Sequence, residues 1–118
     1  MPLMRGDVIL TYVPNVGQTG GKLRPAVVVQ SNHNNVRLNE TIIAAVTSNT
    51  SRSREAHQVL IDVASSDGAA SGLLHNSSVR GERLHTIAQS DAKRVIGQLS
   101  NSLMAEVNTC LKAALGLP

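Results

Sequence analysis

The chain has 118 residues, 42% of them hydrophobic, and carries a net charge of +3. It has no Trp, no Phe and a single Tyr, which excludes an aromatic platform for stacking bases. Any grip on a polyanion must then rest on charge and hydrogen bonds. The lone cysteine, Cys110, excludes an internal disulfide. With no leader-like segment and no long apolar run, the expectation is one cytoplasmic domain over residues 1–118, with no membrane partner.

In chain order, residues 5–7 read as a turn and 8–13 as a strand, with Val8, Leu10 and Tyr12 on one face and Ile9, Thr11 and Val13 on the other. Residues 14–23 read as a long glycine-rich loop, the kind that carries function in a small domain. Gly20-Gly21-Lys22-Leu23-Arg24-Pro25 leads into Ala26-Val27-Val28-Val29, an apolar β-branched run that predicts a strand buried on both faces. Pro25 suits the start of a strand, which would place Arg24 where loop meets strand. A polar connection over 31–40 precedes a third apolar strand over 41–47. A basic loop over 48–54 follows, then a strand over 57–63 and a Gly/Ser/Asp turn region over 64–71. Residues 73–87 read as two short strands, split near His75-Asn76-Ser77 or at Gly81. Residues 90–94 start a short helix. The last helix is capped by Ser100 or Ser102, carries Leu103, Met104, Val107, Leu111 and Ala114 at helical spacing, and stops at Gly116. Cys110 reads as a small buried hydrophobe of that helix.

The four histidines are dispersed and none has zinc-ligand spacing. The segment around Gly17 to Lys22 is not a P-loop, and no nucleophile elbow appears. What remains are residues at strand ends: Arg24, Thr47 with Ser48 and Asn49, and the Arg80-Gly81-Glu82-Arg83-Leu84-His85 block. Arginine is the side chain best shaped for phosphate. In a strand, Arg80 and Glu82 point the same way, as a surface ion pair or as an acid/base pair beside a phosphate.

Taken in order, these pieces resemble the PemK/MazF toxin family: the Arg-Gly-Asp-Val start, Gly-Gly-x-x-Arg24-Pro25-x-Val-Val, Thr47-Ser48-Asn49, Ser78-Val79-Arg80-Gly81-Glu82, Thr86-Ile87 and Ile96-Gly97-Gln98-Leu99-Ser100. The resemblance implies a mainly β fold with helical additions (α+β): a small SH3-like β-barrel of the CcdB/MazF type with a C-terminal helix. It implies a homodimeric endoribonuclease that cuts single-stranded mRNA without a metal or other cofactor and is neutralised by a cognate antitoxin. It places an arginine at Arg24, a threonine at Thr47, and an arginine and an acid at Arg80 and Glu82 in the catalytic set. Glu82 would be the base if its pKa lay nearer neutrality, Arg24 and Arg80 the clamp on developing charge, and Thr47 a hydroxyl on a phosphate oxygen. Arginine is a poor proton donor at neutral pH, so His85 or a water would protonate the leaving oxygen. Gln18, Thr19, Lys22, Ser48, Asn49, Arg52, Arg54 and Arg83 would line the RNA path.

The chain departs from the family pattern in three places. Gln18 and Thr19 stand where many relatives have an acid or a histidine–acid pair. Arg83-Leu84-His85-Thr86 replaces Gln-x-Arg-Thr, and Ala88 replaces an acid. Two other readings stay open: a gyrase-poisoning toxin like CcdB, or an inactive relative that only binds its partner.

Overall fold

The computed structural model describes residues 2–118. Its elements are β1 (Asp7–Pro14), β2 (Gly21–Val28), α1 (Asn32–Arg37), β3 (Glu40–Thr47), β4 (Gln58–Ile61), α2 (Ser66–Ala69), β5 (Ser77–Ala88), β6 (Arg94–Gln98) and α3 (Asn101–Leu115). The strands form one antiparallel, curled sheet in the order β4-β5-β3-β2-β1-β6.

Strand alternation sorts the apolar residues into two cores. Val8, Val27, Ala44, Val46 and Val79 face Leu103, Met104, Val107 and Cys110 of α3. Ile9, Val13, Ala26, Val28, Ile43 and Ala45 form a second cluster on the opposite face with Leu3. The fully buried run Ala26-Val27-Val28 thus feeds both cores, as an unalternating β-branched strand should. The chain after β5 closes the second face: Thr11 Oγ1 donates to the Asp91 carbonyl at 3.2 Å, and Lys93 N donates to Leu10 O at 2.8 Å. Ser100 caps α3 by accepting from Leu103 N. Gly116, at φ 69°, ends it. Each fully buried aliphatic on the α3 stripe contributes about 1.5–3 kcal/mol.

Several expectations are corrected. The loop before β2 is only a turn over 15–20, because Pro14 already pairs with Gly21. Arg24 and Pro25 therefore lie within β2 and not at its mouth. Pro25 is tolerated because Leu10, its partner, turns its carbonyl toward Lys93 on the β6 side, so the missing N–H is not needed there. On the other side of β2, pairing with β3 begins only at Ala26. The polar connection over 31–40 contains α1, capped by Ser31. Its Asn35 is buried and satisfied by Gln30 and Thr41. The 64–71 turn region holds α2. Residues 90–94 hold only the end of a 3-10 turn, Gln89–Asp91. The lead-in to α3 is a sixth strand, β6.

The largest correction concerns β5, which is one continuous strand with a bulge. Between two ladder pairs, β3 advances from Ala44 to Val46 while β5 runs back from Leu84 to Val79. The surplus chain holds Arg80, Gly81, Glu82 and Arg83, pushed out of the ladder with β3, as bulges beside working sites do, while Arg80 keeps its pairing with Gln58 of β4. Gly81 is there because a Cβ would meet Cys110 Sγ and the His57 carbonyl, each at 2.9 Å. It is a close-packed point of the strand.

Candidate active site

Register and alternation put the sequence-selected residues on one face. Arg24 shares the side of Ala26, and Thr47 that of Ala45. Ser78 stands opposite Thr47, and Gln58 opposite Arg80. This is the face turned away from α3.

Three clefts take in these residues. The first, ≈ 350 Å³, lies between the β1–β2 turn and the β5 bulge and is lined by Asn15, Val16, Gln18, Arg80, Glu82 and Arg83. The second, ≈ 120 Å³, is lined by Thr47, Asn49, Ser51, Arg52, Gln58 and Arg80. Arg80 is common to both. The third, ≈ 350 Å³, carries Arg24, Ser48 and Arg94 beside the apolar Leu10, Pro25, Val46 and Leu73. Lys22, Thr19, Arg54 and His85 line none of these clefts.

The Glu82 carboxylate is fixed from three sides. Its Oε2 accepts from Arg80 Nε at 3.2 Å and from Gln58 Nε2 at 3.1 Å. His57 Nε2 stands 3.8 Å from the same oxygen. Burial pushes the Glu82 carboxyl up, but its own backbone N–H, the Gln58 amide and the Arg80 guanidinium outweigh this. The pKa ends below its ordinary value of 4.5. The rise toward neutrality expected of a tuned base is therefore absent, and Glu82 is a fully ionised acceptor at neutral pH.

The cations crowd one another. Burial, then the charges of Arg80 and Arg24, lower the pKa of Arg83, with Glu82 opposing. Arg83 Nη2 donates to the Pro14 carbonyl at 2.7 Å, tying the bulge to the end of β1. Arg24 Nε, Arg83 Nε and His85 Nε2 are buried without a hydrogen-bond partner. Burial, then Arg83, lowers the pKa of His85. A ring kept neutral and outside the clefts is poorly placed to protonate a leaving oxygen. Thr47 Oγ1 accepts from Asn49 N at 3.1 Å, which shapes the loop and leaves the hydroxyl proton free to donate. Arg52 pairs with Glu55 at 3.2 Å on the surface, a contact of little energetic weight.

Sequence reasoning missed His57, Gln58, Asn15 and Arg94. His57 and Gln58 arrive through the pairing of β4 with β5, which no local pattern announces. Among the described residues, no group of three or more His, Cys, Asp or Glu side chains could hold a metal ion. No helix among them is long and apolar enough to cross a membrane.

The sequence profile of a family described as "PemK-like, MazF-like toxin of type II toxin-antitoxin system" matches residues 4–115. The chain is 28% identical over 116 residues to an Endoribonuclease MazF of Staphylococcus saprophyticus, covering 98% of this chain and 92% of that protein. Among solved structures, it is similar to an endoribonuclease from a mycobacterial species, with a TM-score of 0.77 at 22% identity, covering 100% of this chain and 95% of the other. It is equally similar to a mycobacterial endoribonuclease solved in complex with its cognate antitoxin, with a TM-score of 0.76 at 23% identity, covering 98% and 97% of the two chains. The curled sheet with its C-terminal helix is thus the fold of these toxins. With the profile spanning nearly its whole length, the chain belongs to the PemK-like, MazF-like toxins of type II toxin–antitoxin systems.

Proposed function

We propose that the chain, as a single domain over residues 1–118, is an endoribonuclease toxin. It cuts single-stranded mRNA in the cytoplasm as a homodimer, uses no metal, and is silenced by a cognate antitoxin. The observation that carries the reading is the cation cluster on one sheet face. Arg80 and Arg24 are close enough to Arg83 to lower its affinity for protons, and Arg24 and Arg83 each hold a buried Nε with no partner. Each such buried donor costs about 1–3 kcal/mol if left unmade. A phosphodiester oxygen would relieve both the unpaired donors and the repulsion, in the bidentate geometry that arginine favours.

Beside that anion site, ionised Glu82 accepts the proton of the ribose 2′-hydroxyl. The 2′-oxygen attacks phosphorus, the bond to the 5′-oxygen breaks, and a water protonates the leaving oxygen. Because Glu82 is a weak base here, most of the acceleration falls to the arginines, which stabilise the extra charge of the transition state. Thr47 orients a phosphate oxygen. Dependence on the 2′-hydroxyl restricts the reaction to RNA. Gln18, Ser48, Asn49 and Arg52, at the cleft rims, contact the RNA strand, while Lys22, Thr19 and Arg54 contribute from the exposed surface around it.

The test is incubation of the purified chain with a long RNA in EDTA, with the product ends mapped. Cleavage that leaves 2′,3′-cyclic phosphate ends and falls steeply in Arg24→Ala is expected. Intact RNA, or cleavage indifferent to Arg24, overturns the reading.

A further inference from the structure

His57 does not belong to the set that the sequence selected, yet the fold holds it firmly against the one carboxylate of the site. Its carbonyl accepts from Gly81 N at 2.9 Å, so its backbone is pinned to the β5 bulge itself. Its side chain is only 28% exposed, and Nε2 lies 3.8 Å from Glu82 Oε2. That separation is too long for a hydrogen bond. It becomes an ion pair when the imidazole takes a proton.

The other donors to this oxygen cannot change charge near neutrality. Gln58 is a neutral amide, oriented by Ser78 Oγ, which donates to Gln58 Oε1 at 2.8 Å. Arg80 is permanently charged. Both side-chain bonds fall on Oε2, and no other side chain among the described residues donates to Oε1. The carboxylate thus has one tethered oxygen and one open oxygen, with a single switchable neighbour on the tethered side.

We propose that His57 is a positioning residue that sets the basicity of Glu82, an inference that rests on the nuclease reading. Neutral His57 leaves Oε2 with two donors and Oε1 free to take the 2′-hydroxyl proton. Protonated His57 adds a third, charged donor to Oε2, draws electron density from the carboxylate and weakens it as a base. Histidine is the side chain whose charge changes between about pH 5 and pH 8. Of the ionisable groups, Glu82 faces the imidazole, Arg80 pairs with that same carboxylate, and Cys110 of α3 packs with the His57 carbonyl around Gly81. Of these, only Glu82 and Arg80 share its carboxylate contact.

The experiment measures single-turnover cleavage of a long RNA in EDTA by the full-length protein from about pH 5 to about pH 8. Wild type is compared with His57→Gln and His57→Asn, with circular dichroism as the control for folding. A change of one unit in carboxylate pKa is a tenfold change in base strength. The wild-type maximal rate should therefore drop about three- to tenfold more than that of either variant toward the acid end, since only part of that change appears in the rate. At the alkaline end the three should agree within about threefold, with unchanged KM. In Glu82→Gln, residual activity should lack the acid limb, because the imidazole then has no carboxylate to act on. Parallel pH profiles in an active enzyme, an effect confined to KM, or an acid limb surviving in Glu82→Gln each overturn the role of His57 alone. RNA left intact by wild type at every pH overturns the nuclease reading, and this role with it.

Discussion

Arg24 sits within β2 opposite the fully buried Thr11, so its backbone is held whatever its side chain does. Arg24→Ala should lower cleavage about 10²-fold or more, the usual loss for one preorganised donor to a transition-state oxyanion, while thermal melting stays nearly unchanged. Protonation gives a second prediction. The pKa of His85 is lowered from 6.5 in the folded chain, so acid protonates the unfolded state first. The stability that its neutral ring allows is complete above about pH 6.5 and is lost as pH falls through the lower folded value. Urea denaturation of wild type should show this loss, and His85→Gln should not. Glu82, also lowered, acts further into acid, below about 4.5. Its effect is thus separable in the same titration. At this scale the sequence was half legible. The meeting of Arg80 with Glu82 follows from strand alternation alone. The direction of the Glu82 pKa does not, because Gln58 reaches it from a different strand.

Elements were legible where burial wrote a pattern and opaque where contact with distant chain decided the outcome. The apolar runs at Ala26-Val27-Val28 and Ile43-Ala44-Ala45-Val46 read directly as strands, and the α3 stripe as a helix. By contrast, β6 is short and includes Gly97, whose added Cβ would strike Ala70 and Ser71. Packing against α2's exit and pairing with β1 make it a strand, and neither is local. Likewise α1 hides in an asparagine-rich stretch that suits loops equally well. The bulge of β5 gives a sharp test. In Gly81→Ala the new methyl meets Cys110 Sγ and the His57 carbonyl, so urea denaturation should show a loss of about 1–3 kcal/mol. Cleavage should fall as well, because the same bulge carries Arg80 and Glu82. Ser100→Ala removes the α3 cap and should cost about 1 kcal/mol without changing the rate constant of the folded protein.

For the whole molecule, the net charge of +3 understates how unevenly charge is placed. Arg24, Arg80 and Arg83 gather on the face away from α3 with only Glu82 between them. If these three engage phosphates, log affinity for single-stranded RNA should fall with log salt at a slope of about −2. Each arginine replaced by glutamine should reduce that slope by about 0.7. A slope unchanged in Arg83→Gln would place Arg83 outside the RNA path. The global fold was legible in its order of elements and its single terminal helix. Its closure was not, since that depends on hydrogen bonds such as Lys93 to Leu10. The turn over 15–20 has a further consequence. It is closed by its own bonds, Asn15 N to Gly20 O at 2.9 Å and Asn15 Nδ2 to Thr19 O at 3.2 Å, and fastened at its base by the Pro14–Gly21 pair. The bulge grips the carbonyl of Pro14, outside the turn, so the residues between Pro14 and Gly21 can be rewritten without loosening the carboxylate or the arginines. If Gln18, at the rim of the cleft that holds Arg80 and Glu82, reads the RNA, then choice of target and breakage of the bond are separately heritable, and grafting a turn from a relative should transfer cleavage preference while leaving the rate on the preferred sequence in place.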